Sequence, residues 1–194
     1  MKRDIILSGV GGQGILSIAT VIGKAALTEG LNIKQAEVHG MSQRGGDVQS
    51  NLRISSTPIA SDLIAHGSAD IIISLEPMEA LRYLPWLSKQ GWIITNTTPF
   101  INIDNYPAAE ALNQALKSLP HVIAIDIDAI AQQTASPRAA NIVLLGASAP
   151  FLDIEAEKLE RGIRDIFARK GEEVVAMNLA AFHAGYEYAK KMIK

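Results

Sequence analysis

Residues 4–14 read DIILSGVGGQG, a short apolar run followed at once by four glycines within six positions. A continuous apolar run of this length, bounded by glycines, is typical of a buried strand. Gly9, Gly11 and Gly14 fit the G-x-G-x-x-G spacing, which in this context lets a strand turn sharply into a helix. The stretch therefore predicts a buried strand, a glycine-rich turn and a helix that begins at Gly14.

After this stretch, predicted helices and strands alternate along the chain. Apolar residues at helical spacing predict a helix over 14–28, and Gly30 is expected to end it. The further predicted elements are strands over 33–38, 48–54, 70–75, 92–95 and 122–125, and helices over 77–84, 108–116, 129–134 and 139–145. The alternation predicts an α/β fold, with a doubly wound, mostly parallel, Rossmann-like sheet and helices on both of its faces.

The strand order expected from the right-handed crossover rule is 3-2-1-4-5 at the centre of a sheet of about five to six strands. The strand over 48–54 is the exception, because it follows the strand over 33–38 after a loop too short for a helical crossover. We therefore expect it to pair antiparallel or to lie at an edge.

No strand is predicted beyond residue 153. Asp153 is the expected N-cap of one helix, and Gly171 separates that helix from a second one over 172–190. The 194 residues are interpreted as a single domain over 1–194, with this C-terminal helical pair as an extension over 153–190.

Composition excludes several classes of function. Hydrophobic residues make up 48% and charged residues 20%, the balance of a soluble globular protein. The net charge of -2 gives no electrostatic footprint for nucleic acid, and no apolar run is long enough to span a membrane. The N-terminal apolar run is too short for a signal peptide, so we expect a cytoplasmic protein. Cysteine is absent, so any iron–sulfur cluster must belong to a partner.

The glycine-rich turn is the first candidate binding segment. Its candidate cofactor-binding residues are Gly9, Gly11, Gly12, Gln13 and Gly14. Small residues let the backbone approach a pyrophosphate, and amides at a helix N-terminus attract anions. The glycines, together with Glu37 near the end of the second strand, indicate NAD binding as one interpretation of this turn. The alternative is that the glycines only permit a tight turn and close packing.

The second candidate segment is EVHGMSQRGGDV, residues 37–48, which joins two strands. Its candidate residues are His39, Gln43, Arg44 and Gly45. The forked guanidinium of Arg44, beside two glycines, could hold a carboxylate or phosphate. Apolar Met41 among polar residues favours a contact surface over the alternative, an ordinary solvated turn.

Glu76 is the last candidate, expected at the same edge of the sheet, where it either contacts a ligand or caps the helix that starts at Pro77. No catalytic acid–base or nucleophilic arrangement and no metal-ligand spacing is predicted.

Four segments, taken together, resemble a known family. They are IILSGVGGQGILSIATVIGKAALTEG (5–30), EVHGMSQRGGDVQSNLRI (37–54), ADIIISLEPMEALRYLP (69–85) and NIVLLGA (141–147). In this order they are similar to the gamma-type domain of 2-oxoacid:ferredoxin oxidoreductases, over residues 4–146 and with a similar helical end. Within the family, the stretch EVHGMSQRGG most resembles the beta subunits of indolepyruvate ferredoxin oxidoreductases.

The resemblance implies the small, cofactor-free subunit of an enzyme that oxidatively decarboxylates indolepyruvate or another aryl pyruvate. Coenzyme A would accept the acyl group, and ferredoxin would take the electrons. Thiamine diphosphate, Mg and the iron–sulfur clusters would be carried by a large partner subunit, and the small subunit alone would be inactive. Two alternatives stay open from the residues alone: a stand-alone NAD-binding oxidoreductase, and a nucleotide-binding scaffold module.

Overall fold

The computed structural model describes residues 1–39, 45–134 and 136–193. The strands are β1 (Lys2–Val10), β2 (Asn32–His39), β3 (Asp47–Ser55), β4 (Ala69–Ser74), β5 (Leu87–Asn96) and β6 (Val122–Ile125). The helices are α1 (Ile15–Thr28), α2 (Pro77–Arg82), α3 (Ala109–Lys117), α4 (Ile127–Thr134), α5 (Ala140–Ser148), α6 (Ala156–Phe167) and α7 (Glu172–Met192). The six strands form one sheet in the order β2-β3-β1-β4-β5-β6.

Both faces of the sheet are covered, which explains why β1 is apolar at consecutive positions. Ile5 and Leu7 belong to the large core on one face, and Ile6 belongs to a smaller core on the other. Helices α1, α4 and α5 supply apolar side chains to the large core, with α6 and α7 packed around them. Helices α2 and α3 lie on the other side. The predicted α/β fold with helices on both faces is confirmed.

The predicted strand order 3-2-1-4-5 is wrong at β3. This strand lies between β2 and β1 and runs antiparallel to both, while β1, β4, β5 and β6 pair in parallel. The short connection after β2 makes β3 its antiparallel neighbour in either order. β3 takes the inner place beside β1 because most of its residues are buried, whereas β2, which is exposed or half-buried over residues 32–38, suits the edge. Of the two expected outcomes for this strand, antiparallel pairing is the one found, and an edge position is not. As a result, Glu37 of β2 lies one strand further from β1 than in the expected order.

The first C-terminal helix, α6, starts later than predicted, whereas α7 begins at Glu172 as expected. Asp153 is not the N-cap of α6: its φ is 54°, in the left-handed region, and its carboxylate pairs with Arg3 at 2.6 Å. Glu155 occupies the N-cap position instead. The second helix, α7, buries Phe182 completely against the core. In the described part of the chain, no helix has the length and apolar content needed to cross a bilayer.

Candidate functional site

The turn from the last residue of β1 into α1, residues 10–14, is called the glycine loop below, and it is held in place by Gln13. The amide of Val10 donates to Oε1 of Gln13 at 2.7 Å, and Nε2 of Gln13 donates to the carbonyl of Leu75 at 3.3 Å. Leu75 immediately follows β4. One side chain therefore closes the glycine loop on itself and joins it to the carboxyl end of the neighbouring parallel strand.

Gly12 and Gly14 are required for different reasons. Gly14 has a φ of 91°, and a β-carbon there would lie 2.6 Å from Nδ2 of Asn141. The same Nδ2 donates to the Gly14 carbonyl at 3.2 Å, so Gly14 is a packing glycine. Gly12 has a φ of 105°, and a β-carbon there would meet no atom of the described residues within 4 Å. Gly12 therefore presents bare backbone to open space.

Helix α1 begins directly at the glycine loop. Buried Ile15, Ile18 and Ile22 fix this helix against the sheet, as their spacing predicted, and Gly30 ends it with a φ of 71°. Gly14 is the N-cap, and no side chain in the described ranges caps the first turn. The first backbone N–H groups of a helix have no partner within it, and they carry partial positive charge. The start of α1 therefore offers donors to an anion at this edge.

Two clefts flank the glycine loop. The first has a volume of about 390 Å³ and is lined by Gly11, Gly12, Ile15 and Glu37 among others. The second, of about 340 Å³, lies on the other side, and its polar lining consists of Gln13, Asn96, Asp128, Arg138 and Asn141. Gly12 lines both clefts. The bare backbone of Gly12 is thus the ridge between them.

The β2–β3 connection meets the glycine loop through its backbone. The amide of Gly11 donates to the carbonyl of Gly46 at 2.8 Å, and the amide of Gly45 donates to the carbonyl of Gly11 at 3.4 Å. His39 ends β2 opposite Val48. The His39 side chain, together with Gln43 and Arg44, lies outside the described residues. Of the four candidate residues in this segment, Gly45 is therefore the one whose contact with the glycine loop is seen, next to the contact made by Gly46.

Glu76 follows β4 at the same edge, but its side chain is fully buried. It is the N-cap of α2, where Oε2 accepts the amide of Glu79 at 2.8 Å, so the cap interpretation is confirmed. Oε1 accepts the amide of Phe100 at 3.3 Å and also the hydroxyl of Tyr106. Burial and this hydrogen bond raise the pKa of the Tyr106 hydroxyl, which therefore stays a donor at neutral pH. Glu76 is an anchor for the segment after β5.

A second buried carboxyl, Glu79, lies one turn further along α2. Burial raises the pKa of Glu79, and the guanidinium of Arg82, with Nε 2.8 Å from Oε2, opposes the rise. Burial, with the nearby carboxylates of Asp47 and Glu79, raises the pKa of Tyr83 to about 12. Glu79 and Arg82 pair with each other on the α2 side of the sheet, and neither they nor Tyr83 line either cleft.

Three residues of this edge were missed by the sequence analysis. They are Asn141, which contacts Gly14; Asn102, whose Nδ2 donates to the Gly45 carbonyl at 2.7 Å; and Tyr106. The contact of Asn141 spans 127 residues and leaves no local pattern. The segment of Asn102 and Tyr106 did carry a signal, because its apolar residues stand among polar residues and prolines, as Met41 does.

An α/β domain with a glycine loop between two clefts defines a class of binding fold. Comparisons with known proteins identify the family within this class. Residues 4–188 match the family model described as pyruvate ferredoxin/flavodoxin oxidoreductase. The chain is 38% identical to indolepyruvate oxidoreductase subunit IorB of Archaeoglobus fulgidus, over 97% of this chain and 96% of that protein.

Solved structures agree with this assignment at the level of the fold. The gamma subunit of a keto/oxoacid ferredoxin oxidoreductase from Geobacter sulfurreducens is similar, with a TM-score of 0.71, 25% identity, and coverage of 97% of this chain and 99% of that one. The 2-oxoglutarate:ferredoxin oxidoreductase from Magnetococcus marinus, with 2-oxoglutarate, coenzyme A and succinyl-CoA bound, has a TM-score of 0.76 at 24% identity. That match covers 98% of this chain and 31% of the other.

The chain therefore belongs to the pyruvate ferredoxin/flavodoxin oxidoreductase family. It is the small subunit of a 2-oxoacid:ferredoxin oxidoreductase, so partner subunits are implied.

Proposed function

We propose that this chain is the small subunit of an indolepyruvate:ferredoxin oxidoreductase, acting in the cytoplasm as one domain. The enzyme would oxidatively decarboxylate an aryl 2-oxoacid. It would pass the acyl group to coenzyme A and the electrons to ferredoxin. The observation that carries this proposal is the 38% identity to an indolepyruvate oxidoreductase subunit along nearly the full length of both chains.

The division of labour between subunits is argued from the residues of this chain. The sequence has no cysteine, so it cannot ligate an iron–sulfur cluster through thiolates. Among the described residues, no group of three or more His, Asp or Glu side chains is arranged to hold a metal ion. We propose that the large subunit carries both the iron–sulfur clusters and the thiamine diphosphate–Mg site.

We further propose that the edge around the glycine loop is the part of this chain that faces the reaction site of the complex. The bare backbone of Gly12 and the uncapped start of α1 suit an anionic group. Coenzyme A, the proposed acyl acceptor, carries such a group in its pyrophosphate. The carboxylate of Glu76 has no role in this contact, because protein donors occupy it.

Reconstitution tests the proposed function. The chain is mixed with the thiamine diphosphate-containing large subunit from the same source, and coenzyme A-dependent dye reduction is followed with indolepyruvate, phenylpyruvate, pyruvate and 2-oxoglutarate. We expect kcat/KM for the aryl substrates to exceed that for the other two by about tenfold or more, with no activity from this chain alone. A preference for pyruvate or 2-oxoglutarate would contradict the indolepyruvate assignment. NAD-dependent turnover by the isolated chain would favour the stand-alone oxidoreductase instead.

A further inference from the structure

The segment between β5 and α3, residues 97–108, is called the β5–α3 loop, and it exposes an apolar patch. The exposed fractions are 44% for Phe100, 74% for Ile101 and 44% for Ile103. These are three of the ten large apolar side chains that are exposed in the described part of the chain, and they fall within four consecutive positions. Single exposed apolar residues are ordinary, but a contiguous group marks an interaction surface.

The backbone of the β5–α3 loop is fixed although its apolar side chains face outward. The buried carboxylate of Glu76 accepts both the Phe100 amide and the Tyr106 hydroxyl. Between these two anchors, Asn102 donates to the Gly45 carbonyl. A loop that is already held in one conformation loses less entropy when it binds a partner. The patch is therefore preorganised for a contact.

The patch is continuous with the edge that carries the glycine loop. Asn102 contacts Gly45, and Gly45 in turn bonds to Gly11. The loop itself carries the exposed carboxylate of Asp104, and a second exposed carboxylate, Asp47, follows Gly45 by two residues. A complementary surface would be apolar at its centre, with basic groups at its rim.

We propose that Phe100, Ile101 and Ile103 form a docking surface for the large subunit of the same oxidoreductase. This inference rests on the proposed function. The large subunit is the occupant we assign, because the same fold occurs as 31% of a longer chain in the Magnetococcus marinus oxidoreductase. There the fold is covalently joined to other parts of an oxidoreductase.

The test compares two exposed apolar positions at opposite edges of the sheet. Ile101→Glu places a charge in the patch. Leu27→Glu is the matched control, because Leu27 is 63% exposed in the last turn of α1, at the end remote from the glycine loop. Binding of each purified variant to the immobilised large subunit is measured, and circular dichroism checks that both variants are folded.

We expect Ile101→Glu to weaken binding by about tenfold or more, and Leu27→Glu to bind within about twofold of the wild type. Unchanged binding of Ile101→Glu, or an equal loss in Leu27→Glu, would overturn the docking surface while leaving the proposed function intact. Failure of the wild-type chain to bind the large subunit and support indolepyruvate oxidation would instead overturn the proposed function. Light scattering that shows a wild-type dimer, converted to monomer by Ile101→Glu, would assign the patch to a second copy and reject the proposal.

Discussion

Gly146 of α5 and Gly185 of α7 lie at the same helix crossing, each against the backbone of the other helix. A β-carbon on Gly146 would overlap the carbonyl oxygen of Phe182, and one on Gly185 would overlap that of Val143. The two helix backbones approach each other more closely than they could if either of these residues carried a β-carbon. Because α5 is buried from Ile142 to Ser148, this crossing fixes α7 to the core.

Gly146→Ala is expected to destabilise the protein by about 3 kcal/mol, since the helices must separate to admit the methyl group. Urea unfolding of the isolated chain measures the change. Gly23→Ala is the matched control within a helix: its β-carbon would lie 3.9 Å from Cδ1 of Ile33, an ordinary contact. That change should raise stability by about 0.5 to 1 kcal/mol. An unaltered urea midpoint in Gly146→Ala would contradict the described crossing.

Asp4 forms an ion network at the edge of the sheet opposite the glycine loop, and the contribution of this network to stability depends on pH. Burial raises the pKa of Asp4, but hydrogen bonds from Arg53 and Lys2 outweigh it, so the pKa lies below its ordinary value of 3.8. The ionised carboxylate therefore stabilises the fold fully above pH 3.8, and this contribution is lost as pH falls through the lower pKa of the folded state.

Asp4→Asn should cost about 3 kcal/mol at neutral pH, because it removes one partner of a buried pair. The difference from the wild type should shrink as the pH falls below 3.8. Urea unfolding across this range provides the measurement. Asp153→Asn is the control: this pair with Arg3 is partly exposed, and asparagine tolerates a left-handed φ, so the change should stay within about 0.5 kcal/mol. A loss for Asp4→Asn that is independent of pH would rule out the assigned role.

Tyr106→Phe removes a donor to Glu76 and should cost about 1 to 2 kcal/mol. Its diagnostic effect is local, because the β5–α3 loop loses an anchor, so hydrogen exchange at the Phe100 amide should accelerate. Tyr188→Phe is the control, since it loses a hydrogen bond to the Ala124 carbonyl on another element. It should leave exchange in the β5–α3 loop unchanged. Equal exchange at Phe100 in both variants would argue against the anchor.

Gln13→Glu keeps the acceptor for the Val10 amide but places an oxygen against the Leu75 carbonyl, where an N–H donor stood. We expect a loss of about 1 to 2 kcal/mol in stability and lower turnover in the reconstituted enzyme, because the glycine loop is no longer joined to β4. Gln90→Glu, at an exposed position of β5, should change stability by no more than about 0.5 kcal/mol. Wild-type turnover for Gln13→Glu would mean that the link between the glycine loop and β4 is dispensable for activity.

Arg44 is predicted from the sequence alone to anchor a carboxylate, a phosphate or the partner subunit. Arg44→Ala should impair assembly or turnover while leaving the chain folded, with a stability change within about 0.5 kcal/mol. Arg44→Lys should rescue only in part, because lysine keeps the charge but loses the fork. Arg161→Ala, at an exposed position of α6, is the control for charge removal. Pull-down and dye reduction that match the wild type for Arg44→Ala would return the segment to an ordinary solvated turn.

Local sequence patterns predicted the elements well where burial is uniform. β1 and α1 followed from an apolar run, glycines and helical spacing. The first half of β5, from Leu87 to Gly91, was missed because polar Ser88, Lys89 and Gln90 interrupt the apolar pattern that predicted only residues 92–95. The position of β3 was missed because a strand's own residues do not identify its neighbours.

The candidate site was predicted in the same uneven way. The glycine loop and Gly45 were found because glycine at fixed spacing is a local signal. Glu76 was found, but its burial beneath the β5–α3 loop depends on Phe100 and Tyr106, which are distant in sequence. Asn141 was not found, since its contact with Gly14 exists only once α5 packs beside the start of α1.

The insertion of β3 between β2 and β1 has a consequence for how this domain can diversify. Residues 40–44 join two strands that are each paired along their full length, so both ends of this stretch are set by the sheet and not by its own sequence. Substitutions in this stretch change its chemistry and leave unchanged every residue that pairs in β2 or β3. Selection can therefore act on recognition at this position at little cost to folding, so that one scaffold serves different branches of a family.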